Sequence, residues 1–484
     1  MKPTPFFPAW QARLAPMGSR LTRPVQSLRA ATLSQLEDRF AACVPPSLFP
    51  KAPEHANSRD RLYTRWRTFW SMLWQSLNPE TSGREVVRQL QALFQLHGGP
   101  KLSAEDGAYC RAKGRMPVSE FPKALAATAQ AAAAALPPLT WLQGRPLKVV
   151  DGSTITLPDT AANRAAYPPL HTPPPNFPLM RIVVLFSLLS GAILTVAQGN
   201  LHAAELPLLG LLLDQLARGD ILVGDQGFGN FVLLALLQPR GVDFIGRSAR
   251  HVDGRCRRQR LGKNDWLVLW HKGSKPSCWL PRLQWQSLPA QLTLRVLRGS
   301  VYQKGFRVHQ VTLVTTLLDP QRYPADEILW AYLRRWRLEM CLDDLKTTLA
   351  LEMLRSRSPE MAQKELFMRL IGHNLIRCLM AQAAAQHAMA LERISFKGSL
   401  DALRQFAQAI AQARSQNKRR EIWAELLRTL AADLVPERPA RCEPRAVKRK
   451  RNKYPRLRLR SRFRDRPKRS VRCTKARMRK LGLM

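Results

Sequence analysis

The period of the hydrophobic positions changes several times along the chain, and each change predicts a different element. From Arg59 to about His97 apolar residues recur at helical spacing, with Trp66, Trp70 and Trp74 every fourth residue and Phe69 and Leu73 beside them. Such a stripe is core-forming. Asn78-Pro79 interrupts it, so a second helix is expected to open at Ser82. An earlier helix is expected from Thr32 to Cys43, inside a proline-punctuated stretch. Lys123 to Leu136 predicts an alanine-rich helix that Pro137-Pro138 stops. Pro146 to Val150 then reads as a buried strand running straight into Asp151-Gly152-Ser153. After a proline-rich loop from Tyr167, the run from Ile182 to Ala197 is too short and too interrupted at Ser190-Gly191 for a membrane span. Two strands joined by a tight turn fit it better. A helix from Glu205 to Leu216 follows, then a strand from Gly219 that ends in Asp225. A helix from Phe231 to Leu237 and a strand from Val242 to Arg247 complete an α/β sheet of mixed strand directions.

From about residue 250 to 318, short alternating runs such as Leu292 to Leu297 predict a β-rich insertion. Asp326 to Lys346 has no Pro or Gly and reads as a long helix. At about 100° per residue, Tyr332, Arg335, Glu339 and Lys346 share a sector roughly 60° wide, with Asp343 at its edge. Trp330, Leu333, Leu338, Cys341 and Leu345 point elsewhere, and those faces read as buried. A buried polar stripe needs partners, which phosphates with a metal ion supply. Glu365 to Met380 is an apolar helix carrying His373, Asn374 and Arg377, with His373 read as a core or interface residue. Further helices are expected from Ser399 to Ala432.

Charge changes the picture. The 484 residues carry 77 Lys and Arg against 35 Asp and Glu, a formal charge of +42. That excess predicts a polyanionic partner, nucleic acid before an anionic membrane surface. It culminates in a polybasic tail from Arg445 that has too few apolar residues to bury a core and should be extended or disordered without a polyanion. The eight cysteines form no C-x-x-C pair, so neither a zinc ribbon nor a disulfide framework is expected. The first residues lack the apolar core of a signal peptide. The reading is a cytoplasmic protein with no membrane partner.

The spacing Tyr332-x2-Arg335-x3-Glu339-x6-Lys346 resembles the signature box of bacterial insertion-sequence DDE transposases, the large type-four insertion-sequence group, at all four positions. The resemblance implies an RNase H-like catalytic core with Asp151 on its first strand and Asp225 on its fourth. It implies a site in which Asp151, Asp225 and Glu339 are catalytic and bind two Mg²⁺ (or Mn²⁺) ions, while Tyr332, Arg335 and Lys346 hold DNA phosphates. Its expected partners are double-stranded DNA, as element ends and target, and a second copy of the chain in a dimeric synapse near the nucleoid. The expected activity is cleavage and strand transfer at inverted-repeat ends, by cut-and-paste. A nuclease without strand transfer, or an inactive DNA-binding relic, is the alternative. Some relatives carry a second lysine one turn after the glutamate, where this chain has Asp343.

The domain organisation expected is a helical N-terminal region (1–140), the core's first part (141–249), the β-rich insertion (250–320) and the core's second part (321–385). C-terminal helices (386–440) and the tail (441–484) follow. Relatives with a long insertion are those known for DNA-hairpin intermediates, which makes Trp266, Trp270, Trp279 and Trp285 candidates for stacking on a flipped base; strand packing is the competing role.

Overall fold

The computed structural model describes residues 43–49, 62–96, 102–169, 177–248, 257–300, 310–413 and 415–435. The Thr32–Cys43 helix, most of the proline-rich loop and the polybasic tail lie outside them. The tryptophan stripe folds as α1 (Arg65–Leu77), capped by the Thr64 hydroxyl, which accepts from the Arg67 N–H. Trp70 and Trp74 are buried and Trp66 packs beside them. α2 (Gly83–Leu96), α3 (Gly107–Arg115) and α4 (Glu120–Ala134) follow. α4 starts earlier than the sequence indicates because Pro122 sits in its first turn, where no intrahelical N–H is required.

β1 (Leu147–Thr156) is followed by α5 (Ala161–Ala166), β2 (Leu179–Ser187) and β3 (Ile193–Asn200). The turn between β2 and β3 uses Gly191 at φ +67°, a conformation that a side chain would strain. α6 (Glu205–Gly210) stops short of the expected Leu216. Gly210 ends it against the Trp279 ring, and only a 3-10 turn follows at Leu213–Gln215. β4 (Ile221–Gly224), α7 (Phe231–Leu237) and β5 (Asp243–Arg247) come next. The insertion supplies β6 (Arg257–Gly262), β7 (Asp265–His271), α8 (Arg282–Ser287), β8 (Gln291–Ser300) and β9 (Gln310–Thr315). The chain closes with α9 (Ala325–Thr347), α10 (Pro359–Gln386), α11 (Phe396–Gln412) and α12 (Gln416–Ala432).

All these strands join one nine-stranded sheet in the order β3-β2-β1-β4-β5-β9-β8-β7-β6. β1, β4 and β5 run parallel, and β2 and β3 return antiparallel at one edge. The insertion is β-rich as expected, but its strands continue the core sheet, because β9 pairs with both β5 and β8. Alternation along β1 sends Val149 and Ile155 into the core beneath α1, α4, α9 and α10, and Val150 into the core beneath α6, α7 and α8.

α10 fastens the N-terminal helices to this sheet. Its fully buried Lys364 donates to the carbonyls of Lys113 and Gly114 at the end of α3 and pairs with Glu360 at 2.6 Å. Arg369 donates to the carbonyls of Ser76 and Leu349. His373 is fully buried, 3.1 Å from the Gly191 carbonyl, and burial pushes its imidazole down to about 3. It is a neutral core residue, as the sequence indicates. One apolar residue of α9 departs from expectation: Trp330 is 60% exposed, on the side of the helix opposite Glu339. Among the described residues no helix is long and apolar enough to cross a membrane.

Candidate active site

Three elements carry the predicted acids. Asp151 sits mid-strand on β1, on the face covered by α9 and α10. Its own carboxylate accepts from the Gly152 N–H at 2.8 Å. A Cβ at Gly152 would run into the Glu205 carboxylate, which would have to move aside. Asp225 is the first residue past β4, where its carboxylate accepts from the Gly227 N–H at 2.8 Å and closes a tight turn. Val149 pairs with Val223 in the parallel register, so Asp151 and Asp225 stand level on neighbouring strands. α9 packs against β4 and β5 and carries the third acid over this edge.

Within α9 the stripe splits by burial. Tyr332 and Arg335 are buried, the guanidinium lying 5.5 Å from the phenol ring centre and hydrogen-bonded to its hydroxyl. Arg335 Nη2 donates to Glu339 Oε1 at 3.0 Å, while the Glu339 side chain is 57% exposed. The Nε of Arg335 is buried with no partner, a donor directed at nothing in the protein. Lys346 is half-buried two turns beyond Glu339. Asp343 is exposed.

Electrostatics report the convergence. Burial pushes the Asp151 carboxyl up to about 6; the charges of Asp225 and Glu339 add to this, and the Gly152 N–H and Arg335 oppose it. Burial likewise raises Tyr332, against the nearby guanidiniums of Arg335 and Arg247. Arg247, the exposed last residue of β5, was not singled out from the sequence. The available signal was its position at a strand end, like Asp225. Asp344, on the far side of α9, is also raised to about 6 by burial, with Arg377 pulling it down.

Among the described residues no three His, Cys, Asp or Glu side chains stand close enough together to hold an ion as placed. The donor chemistry nevertheless suits a hard divalent cation, since all three groups are carboxylates and Asp151 feels the charge of the other two. Glu339, exposed and held only by Arg335, is the group that must swing inward to complete such a site.

The Transposase DDE domain family model matches residues 142–375, a span that holds all three acids and the signature box. The chain is 26% identical over 397 residues, 80% of its own length and 85% of the relative's, to the Transposase InsG for insertion sequence element IS4 of Escherichia coli (strain K12). A cryo-EM structure of the piggyBac transposase synaptic complex with hairpin DNA covers 86% of each chain at a TM-score of 0.38 and 11% identity, too loose a likeness to decide the fold. With the family domain laid over Asp151, Asp225 and the glutamate helix, residues 142–375 carry the Transposase DDE domain of enzymes that cleave and join DNA, and most of the chain is similar to an IS4 transposase.

Proposed function

We propose that Asp151, Asp225 and Glu339 form the divalent-metal site with which this transposase cuts and joins DNA at the inverted-repeat ends of its own insertion sequence. The observation that supports this reading is the Asp151 carboxyl, half-buried on β1, raised first by burial and further by the charges of Asp225 and Glu339, with Arg335 opposing. The strand order β3-β2-β1-β4-β5, with an acid on the first strand and another at the end of the fourth, supports an RNase H-like core. The residues from β6 through β9 act as its insertion.

Asp151, Asp225 and Glu339 would hold Mg²⁺ or Mn²⁺, which would supply activation of the attacking water or 3′-hydroxyl and stabilisation of the leaving 3′-oxygen. The chain's own residues do the rest. Arg335, paired with Glu339 and carrying an unpartnered Nε, would offer its fork to a phosphate oxygen pair once that carboxylate turned away. Tyr332 holds the guanidinium in place from below and hydrogen-bonds the same phosphate. Lys346, with no carboxylate partner among the described residues, supplies a second positive charge two helical turns along the bound strand. Two ends must be processed together, so the working unit is a dimeric synapse of cut-and-paste type, acting on DNA in the bacterial cytoplasm.

The test is strand transfer. A pre-cut end bearing a free 3′-hydroxyl, incubated with Mg²⁺ and a supercoiled target, should be joined covalently by wild type and not by Asp225→Asn. End cleavage with no joined product would reassign the chain as a nuclease.

A further inference from the structure

Two cysteines that lie far apart in the sequence meet where α4 packs on α10. The thiols of Cys43 and Cys378 hydrogen-bond to each other, and the Cys378 S–H also lies 3.4 Å from the Thr128 carbonyl of α4. Cys378 is buried with Ala129, Ala132 and Ala192, and half-buried Cys43 packs against that cluster. Each side of the contact is anchored by its own neighbours. After Cys43, Val44 is fully buried and the Phe49 ring lies 4.4 Å from that of Phe69 on α1. One turn before Cys378, Asn374 donates to the carbonyls of Leu125 and Ile193 and to the Thr128 hydroxyl. The fold therefore holds the two sulfurs against each other.

The sulfurs are not equivalent. The hydrogen bond from Cys378 pulls the Cys43 thiol down, against burial, while the same bond and burial push Cys378 up. Cys43 is thus the readier thiolate and the one that solvent reaches, and Cys378 keeps its proton. Of the other described cysteines, Cys110 and Cys278 are exposed, and burial pushes the Cys341 thiol up.

We propose that Cys43 and Cys378 form a disulfide when the protein meets hydrogen peroxide, tying the segment before α1 to α10. The Cys43 thiolate attacks one peroxide oxygen, the O–O bond breaks, and the departing hydroxide takes up a proton to become water. That leaves a sulfenic acid at Cys43. The Cys378 sulfur then attacks the Cys43 sulfur, the S–O bond breaks, and the hydroxyl leaves as water with the Cys378 proton. The peroxide gains the two electrons that the thiol pair loses. The bond closes a loop from residue 43 to residue 378, which restricts the unfolded chain and so favours the folded one. None of the three acids takes part, so this chemistry stands apart from the metal-site reading.

The experiment treats reduced full-length protein with hydrogen peroxide under native conditions and blocks the remaining thiols with iodoacetamide. Tryptic peptides are then mapped by mass spectrometry without reductant. Phe40–Lys51 and Cys378–Arg393 should appear as one species, lighter than their sum by two hydrogens, and separate on adding dithiothreitol. In Cys378→Ser the sulfenic acid at Cys43 should persist and be captured by dimedone, whereas in Cys43→Ser the Cys378 thiol should stay reduced. Oxidised wild type should unfold at a higher temperature than reduced wild type. The decisive reading comes from wild type alone and does not depend on how the variants fold. Thiols that stay free in peroxide, or Cys43 joined to another cysteine in place of Cys378, overturn the proposal. A linked peptide that forms only after denaturation overturns it too, because the folded contact would not be its cause. Dimedone capture as strong in wild type as in Cys378→Ser would remove Cys378 from the second step. An unchanged or lower unfolding temperature would show that the bond does not tie the folded chain.

Discussion

A carboxyl that is buried on a strand and faces two further acids keeps its proton longer than a free one. Asp151 ionises at about 6 in the folded chain against an ordinary 3.8, so between those values the folded state binds the proton that the unfolded chain has released. The stability from this group is therefore complete below about pH 4 and is lost as the pH rises through 6. At about 1.4 kcal/mol per pKa unit, the cost at neutral pH is about 2 to 3 kcal/mol. Asp151→Asn should then be more stable than wild type at pH 7 by that order, and the difference should vanish near pH 4. Urea denaturation across that range measures it, and a variant less stable at pH 7 contradicts the assignment. Millimolar Mg²⁺ should raise the thermal midpoint of wild type at pH 7 and leave Asp151→Asn unmoved, since the ion relieves repulsion that the variant lacks. Arg335 makes a second prediction at this scale. Lysine keeps the charge but loses the fork and the buried Nε, so Arg335→Lys should slow single-turnover cleavage by about 10- to 100-fold with little change in DNA affinity.

At the scale of elements, the acids depend on how α9 is hung from the sheet. Arg295 of β8 is fully buried, pairs with Asp265 and donates to the Tyr323 carbonyl at 2.7 Å, immediately before the helix begins. The Leu142 N–H donates to Glu327 in the helix's first turn at 2.6 Å, and Arg145 donates to the Tyr323 hydroxyl at 3.0 Å. Removing only one partner of the buried pair strands the other charge. Arg295→Ala should cost about 3 to 5 kcal/mol in chemical denaturation, and Arg295→Met with Asp265→Leu should recover most of it. A loss under 1 kcal/mol in the single variant would show that the pair does not hold this junction. These ties explain what the sequence could and could not tell. The β2–β3 hairpin and α7 follow from short-range period and turn chemistry, so they are legible locally, whereas the strand expected to stop at Val150 runs through Asp151 to Thr156 because β2 pairs along it. The box on α9 is legible because 3.6-residue spacing alone puts Tyr332, Arg335 and Glu339 on one side. Trp330 was misread because burial depends on which neighbour covers a face, and periodicity carries no such information. The same holds for the insertion: alternation predicts its strands, but only the long-range pairing of β9 with β5 makes them part of the core sheet. Arg247 escaped notice because its role comes from a register shared with distant strands.

On the scale of the whole molecule, a charge of +42 draws a polyanion in over long range before any specific contact forms. α10 makes the N-terminal helices part of the same body through Lys364, Arg369 and Asn374, which reach α3, α1 and the hairpin. The account stands or falls on whether an acid from the helix acts with two acids from the sheet. The decisive measurement is Mg²⁺-dependent cleavage of DNA carrying the element's own ends, comparing wild type with Glu339→Gln, which keeps the size of the side chain and removes its charge. We predict cutting at the element boundary by wild type and a loss of at least about 1,000-fold in the variant, with DNA binding retained. Equal cleavage by both proteins would contradict the account, because Glu339 would then have no part in the site.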